Sequence, residues 1–333
     1  MDINMKRSRY IIFMIINIGL LVFIVYLSVR IYKVGQDNAQ GTHETKIKAS
    51  SIVRDATVGS KLQYFYEPKP NNIEIVHEDW LNGEVHYTIN SDSLNERKEY
   101  PLLKSETYRI ITLGDSFTFG VYVNTDENYS ELLEDQLSLL DCPNNLRFEV
   151  INLGVHGYDL EYSVERFIRR GIKYIPDLVI WLVNRWNISD VNELSKPLAD
   201  KLKEKGVPYF NETSREFEAA VLAQKQILIK FGENYINDYQ RRVLNRYSEI
   251  YDGQTLVFSF SGNLSDTQKN LIDNFIDLNA SYHFVDDLFD YWASKEYQLY
   301  DRHPNRPGHK KIADLLYQYL LQHYFITCKV SSY

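Results

Sequence analysis

The sequence predicts an α/β fold, a five-stranded parallel sheet with helices on both faces. Three observations predict it. Five short apolar runs each end in glycine, asparagine, serine or aspartate. Amphipathic helical patterns separate them, as in alternating strand–helix units. Chemically reactive residue types gather at the carboxyl ends of the runs, where open α/β sheets collect their functional groups.

The chain begins with a different signal. Tyr10 to Val29 is a twenty-residue run without a charge. A helix of that length spans a hydrocarbon core of about 30 Å. A cleaved secretory signal has a shorter apolar stretch and a small-residue cleavage site, which Ser28-Val-Arg-Ile-Tyr-Lys does not offer. Lys6, Arg7 and Arg9 precede the run, which favours a cytoplasmic N-terminus and an extracytoplasmic body. Residues 1–35 are therefore expected to form a single-pass signal-anchor, and the polar residues 36–60 a tether. Residues 61–100 form a small β-rich lead-in. Within it Ile73–His77 and Val85–Ile89 read as a hairpin around Asn82-Gly83.

Residues 101–333 carry the α/β pattern. The strands are Arg109–Leu113, Phe148–Leu153, Asp177–Val183, Thr255–Phe260 and Tyr282–Val285. Helical patterns lie at Tyr129–Leu140, Asp159–Arg170 and Thr267–Leu278, and a last helix runs from Ile312 to His323. A helical insertion at about 211–251 reads as an extra layer or a lid.

Length and charge narrow the function. The 333 residues allow one sizeable core with a small appendage. Forty-four per cent hydrophobic content excludes a disordered or collagen-like chain. A formal charge of −8 argues against non-specific nucleic-acid binding. Cys142 and Cys328 have no metal-ligand spacing, so no metal site is expected from them, and spacing does not decide whether they pair.

Four segments carry candidate chemistry. Leu113-Gly-Asp-Ser-Phe-Thr-Phe-Gly120 follows a strand and precedes a helix. Ser116 there either presents its hydroxyl and N–H to a cleft or simply belongs to a helix cap. Tyr300-Asp-Arg-His-Pro-Asn-Arg-Pro-Gly-His309 places an acid and an imidazole on one loop, since Pro304 keeps His303 out of helical geometry. A serine hydroxyl needs such a pair: an imidazole to take its proton and an acid to fix the imidazole's tautomer. The strand ends Asn152–Tyr158 and Val183–Asp190 offer glycine N–H groups and amide side chains for a developing oxyanion. Asp115 reads as a structural acceptor, His309 as packed at the start of the last helix, and His156 as lying near the cleft.

The order Gly-Asp-Ser, Asn-x-Gly-x-x-Gly, a post-strand asparagine, then Asp/His before a C-terminal helix resembles the SGNH (GDSL) hydrolases over about 90–321. The resemblance implies a flavodoxin-like three-layer α/β/α domain and ester hydrolysis without metal or cofactor. It implies Ser116 as nucleophile and oxyanion donor, Gly157 as second donor, His303 as general base and Asp301 as its partner. Counting from Pro176-Asp177 places the oxyanion asparagine at Asn187, with Asn184 as rival. The chain departs from the family twice. The usual acid position, three residues before the histidine, holds Tyr300, which leaves Asp286, Asp287 or a carbonyl as other partners for His303. The usual Gly-x-Asn-Asp is absent. The implied substrate is an acylated, O-acetylated for instance, extracytoplasmic carbohydrate or lipid. The same residues would serve an O-acyltransferase to a cell-surface glycan, with a membrane acyl-donor partner. A non-catalytic glycan-binding module is the third reading.

Overall fold

A computed structural model of the chain describes residues 62–81, 83–204 and 212–330. The expected membrane span at 10–29, the tether and Asn82 lie outside the described residues. Among the described residues no helix is long and apolar enough to cross a membrane.

The lead-in forms an antiparallel pair, β1 (Asn72–Val76) and β2 (Val85–Ile89). The sheet strands are β3 (Thr107–Leu113), β5 (Arg147–Asn152), β6 (Leu178–Leu182), β7 (Gln254–Phe258) and β8 (Tyr282–Val285). Two further short strands, β4 (Leu140–Asp141) and β9 (Lys329–Val330), pair separately. All five sheet strands run parallel in the order β5-β3-β6-β7-β8. The winding reverses beside β3, so the carboxyl end of β3 lies at the switch point of a doubly wound sheet, where such folds form their crevice.

Alternation along the strands produces two buried faces. Ile110, Val150, Ile180, Leu182, Leu256 and Phe258 share one cluster with Leu133 and Leu137 of α2 (Tyr129–Leu137) and Ile312, Leu316 and Leu320 of α9 (Arg306–Gln322). Trp181 points the other way, against Tyr247 of α7 (Glu233–Ile250) and Phe275 of α8 (Asp266–Ile276). Every residue of β6 is buried, as a central parallel strand covered on both faces requires. The remaining helices are α1 (Ser116–Phe119), α3 (Leu160–Arg166), α4 (Arg185–Ser189), α5 (Asn192–Glu204) and α6 (Glu212–Phe231). The helical insertion is thus two helices, α6 and α7, divided at Gly232 with its φ of +78°. Helix α5 holds Pro197 in its interior, where a proline forfeits one ladder hydrogen bond, so the sequence by itself argues against a helix there.

Cys142 and Cys328 form a disulfide across 186 residues of sequence. The bridge flanks the β4–β9 pair, before the start of β5 and away from the carboxyl ends of the strands. Cross-links of this kind stabilise by about 2–4 kcal/mol, largely through the unfolded chain. Replacing Cys142 with serine is therefore expected to lower the melting temperature by about 5–10 °C and leave the site intact. Calorimetry of the variant, and of the parent under reductant, checks this; an unchanged transition would exclude the bridge.

Candidate active site

The site grows from the turn after β3. Asp115 caps α1, and its Oδ1 accepts the N–H of Phe117 at 2.9 Å. Its Oδ2 accepts from Asn184 Nδ2 (3.2 Å), Trp186 Nε1 (2.6 Å) and Asn187 Nδ2 (3.0 Å). This buried carboxylate cross-links the ends of β3 and β6. Ser116 is the first residue of α1 and is buried. The two sequence readings of Asp-Ser hold together, since the aspartate is the cap and the serine is what the cap presents.

His303 arrives from the loop before α9. Its Nε2 lies 2.8 Å from Ser116 Oγ, and its Nδ1 lies 2.7 Å from Asp301 Oδ2. An ionised carboxylate only accepts, so Nδ1 carries the proton and Nε2 accepts from the serine hydroxyl. Asp301 Oδ1 also accepts the backbone N–H of His303 at 3.1 Å. One side chain thus holds both the loop and the ring. The short Asp-x-His spacing works because Arg302 between them takes φ of +73°, a left-handed turn uncommon for arginine. The turn is pinned by Tyr291, whose hydroxyl donates to the Arg302 carbonyl at 2.7 Å, and by Leu299 N–H donating to the His303 carbonyl at 2.8 Å. Asp286 instead pairs with Lys269 at 2.6 Å, and Asp287 is exposed.

The electrostatics suit the geometry. Burial works to raise the Asp301 pKa, but the hydrogen bonds and charge of His303 outweigh it and hold the carboxyl below its ordinary value. Burial, then repulsion from His303, pushes His309 down to about 3, so it stays neutral. His309 Nδ1 accepts the N–H of Tyr129 at 3.2 Å and packs α9 against α2. Phe117 and Tyr122 flank the His303 ring at centroid distances of 5.4 and 5.6 Å, and His156 lies at 6.1 Å.

The turn after β5 forms the facing wall. Asn152 Oδ1 accepts the N–H of Gly154 (2.9 Å), and its Nδ2 donates to the Thr118 carbonyl (2.8 Å). That lock brings the turn so close to α1 that a Cβ on Gly154 would lie 2.4 Å from Phe119 N. Gly157 adopts φ of +76°, a backbone that glycine supplies without strain. Among the described residues, neither the Ser116 N–H nor the Gly157 N–H has an acceptor.

The amides after β6 are committed elsewhere. Asn187 Nδ2 donates to Asp115 and to the Tyr158 carbonyl (2.8 Å), which uses both hydrogens, and its Oδ1 accepts the Asn184 N–H (2.6 Å). Asn184 is fully buried and accepts from Asn263 Nδ2 at 2.7 Å. The structure brings Ser116, His303 and Asp301 together, and Gly157 follows His156, whose ring lies 6.1 Å from that of His303. It places Asn187 and Asn184 beneath Asp115, without a spare N–H on Asn187.

One segment gave no sequence signal. Residues 62–67 strap across the β5 turn. Tyr66 Oη donates to the His156 carbonyl, and Tyr158 Oη donates to the Tyr66 carbonyl. Glu193 accepts the N–H groups of Gln63 (2.5 Å) and Tyr64 (3.3 Å), and Glu67 pairs with Arg166 and Arg170. Only contacts between residues far apart in sequence reveal this role.

No family model and no curated protein matches the chain. Several solved structures are similar to it. An esterase, EstA, from Pseudoalteromonas sp. is 14% identical, with 66% of this chain and 99% of that one covered and a TM-score of 0.41. A lipase/acylhydrolase from Enterococcus faecalis is 12% identical, with 68% and 100% covered and a TM-score of 0.41. A catalytic mutant of Axe2, an acetylxylan esterase from Geobacillus stearothermophilus, is 14% identical, with 63% and 93% covered and a TM-score of 0.39. Each TM-score lies below 0.5, so the function rests on the geometry alone.

Proposed function

We propose that this chain is a serine acyl-ester hydrolase of the SGNH type, acting on an acylated carbohydrate or lipid outside the cytoplasm. The observation that carries it is the unbroken chain Ser116 Oγ–His303 Nε2, His303 Nδ1–Asp301 Oδ2, at 2.8 and 2.7 Å. His303 takes the Ser116 proton as Oγ attacks the ester carbonyl. Asp301 holds the imidazole in the needed tautomer and balances the imidazolium. The N–H groups of Ser116 and Gly157 receive the oxyanion. As the ester C–O bond breaks, His303 gives the proton to the departing alcohol and an acyl-Ser116 remains. Water, deprotonated by His303, attacks that acyl-enzyme; the acyl–Oγ bond breaks, His303 returns the proton to Ser116 Oγ, and the acid leaves. Neither a metal nor a cofactor enters this scheme. The membrane-length run at 10–29 supports a single-pass anchor, and the disulfide supports an oxidising compartment.

The test is a fluorophosphonate probe, which reacts with an activated serine. Mass spectrometry of the labelled protein is expected to find the adduct on Ser116, with hydrolysis of p-nitrophenyl acetate lost in step with labelling. An unlabelled protein, or an adduct on another residue, would sink the reading.

A further inference from the structure

A cleft of about 530 Å³ opens at the oxyanion turn, with Gly157 and His156 among the residues that line it. That is an ordinary size for a small-molecule site. One wall is the strap, through Tyr64 and Tyr66. The other is α5 and α6, through Asn192, Ser195, Lys196 and Ala220. The walls are tied to the catalytic turn. Asn192 Nδ2 donates to the Gly157 carbonyl at 2.7 Å, and Gln224 of α6 donates to Ser195 Oγ at 2.9 Å and to Asn192 Oδ1 at 3.3 Å. Helix α6 therefore reaches the oxyanion turn through α5.

The lining is selective by what it offers. Its apolar aliphatic side chains are all alanine; no leucine, isoleucine, valine or methionine contributes. The rest of its apolar surface is tyrosine ring, from Tyr64, Tyr66 and Tyr162. A fatty acyl chain would also gain about 0.8 kcal/mol per methylene buried there, so what favours a polyhydroxylated ring is the set of hydroxyl, amide, ammonium and carboxylate partners beside those rings. The half-exposed Tyr66 ring supplies a flat face for its C–H surface.

We propose that this cleft receives the sugar portion of an acylated glycan, with the strap and the inserted helices as its specificity walls. The inference rests on the acyl-ester-hydrolase reading and narrows its substrate to the carbohydrate. The sugar lies on the alcohol side of the ester, beyond Gly157, and leaves through the cleft after acyl transfer to Ser116.

The experiment compares three esters on the full chain: O-acetylated cellotriose, p-nitrophenyl acetate and p-nitrophenyl decanoate. Ala220→Trp fills the cleft from an exposed position, and Lys196→Met removes a polar partner. Both variants are expected to lower kcat/KM for the acetylated sugar by about tenfold, mainly through KM, and to leave p-nitrophenyl acetate within about twofold. An unmoved ratio in both variants overturns the proposal, as does a loss confined to the decanoate. If the unaltered chain cleaves p-nitrophenyl acetate no faster than its Ser116→Ala variant, the hydrolase reading itself fails, which is a distinct result.

Discussion

Replacing His303 with alanine is expected to lower kcat for p-nitrophenyl acetate by about a million-fold, with Ser116→Ala equally damaging. The magnitude follows from the single hydrogen-bonded chain. Without the imidazole, Ser116 Oγ has no base within reach, since His309 is buried against α2 and serves Tyr129. His156 is the other nearby imidazole, its ring 6.1 Å from that of His303. Its carbonyl is held by Tyr66, which fixes the turn that carries it. The double variant should be no worse than either single one, because the two groups act as one unit. Residual catalysis then reports the Ser116 and Gly157 N–H donors. Stopped-flow and steady-state kinetics decide it. A loss below about a hundredfold would mean that another base serves the serine.

The elements that carry the site were legible because their signals are local. Each sheet strand is a short apolar run closed by a turn residue; Ser116 lies just past the end of β3, and His303 lies just before the start of α9. What escaped depends on distance in space. The amides of Asn184 and Asn187 sit where an oxyanion donor was expected. Yet Asp115, sixty-nine and seventy-two residues away, accepts from both, and the Tyr158 carbonyl takes the remaining hydrogen of Asn187. No residue adjacent to either asparagine records those bonds. The disulfide joins segments 186 residues apart, so spacing alone was silent. Residues 62–67 looked like the edge of a lead-in, because a tyrosine hydroxyl bonded to a distant carbonyl leaves no local pattern. Arg302 is the sharpest case. Its left-handed backbone is what lets a two-residue spacing replace the usual three, and arginine is not a residue that announces φ above zero.

That turn underlies the second large effect. Asp301→Asn is expected to reduce kcat by about ten-thousandfold, because an amide in place of the carboxylate no longer selects the Nδ1-protonated tautomer or balances the imidazolium. Moving the acid back to the usual position, by Tyr300→Asp in an Asp301→Ala background, should not restore activity. Tyr300 is 88% exposed, with its ring 6.3 Å from that of Trp80, whereas it is the Asp301 side chain that the left-handed Arg302 turn presents to His303 Nδ1. Recovery in that double variant would show that the loop re-forms freely and that the left-handed Arg302 is incidental. The acid dependence has a definite sign. His303 holds the Asp301 carboxyl below its ordinary value of about 3.9. The pair's contribution to stability is therefore complete above that value and is lost only as pH falls through the lower folded one. Loss of this contribution on acidification is thus expected only below the ordinary carboxylate range, and Asp301→Asn is expected to remove it. Thermal melts of the two proteins across acidic pH check this; parallel profiles would contradict it.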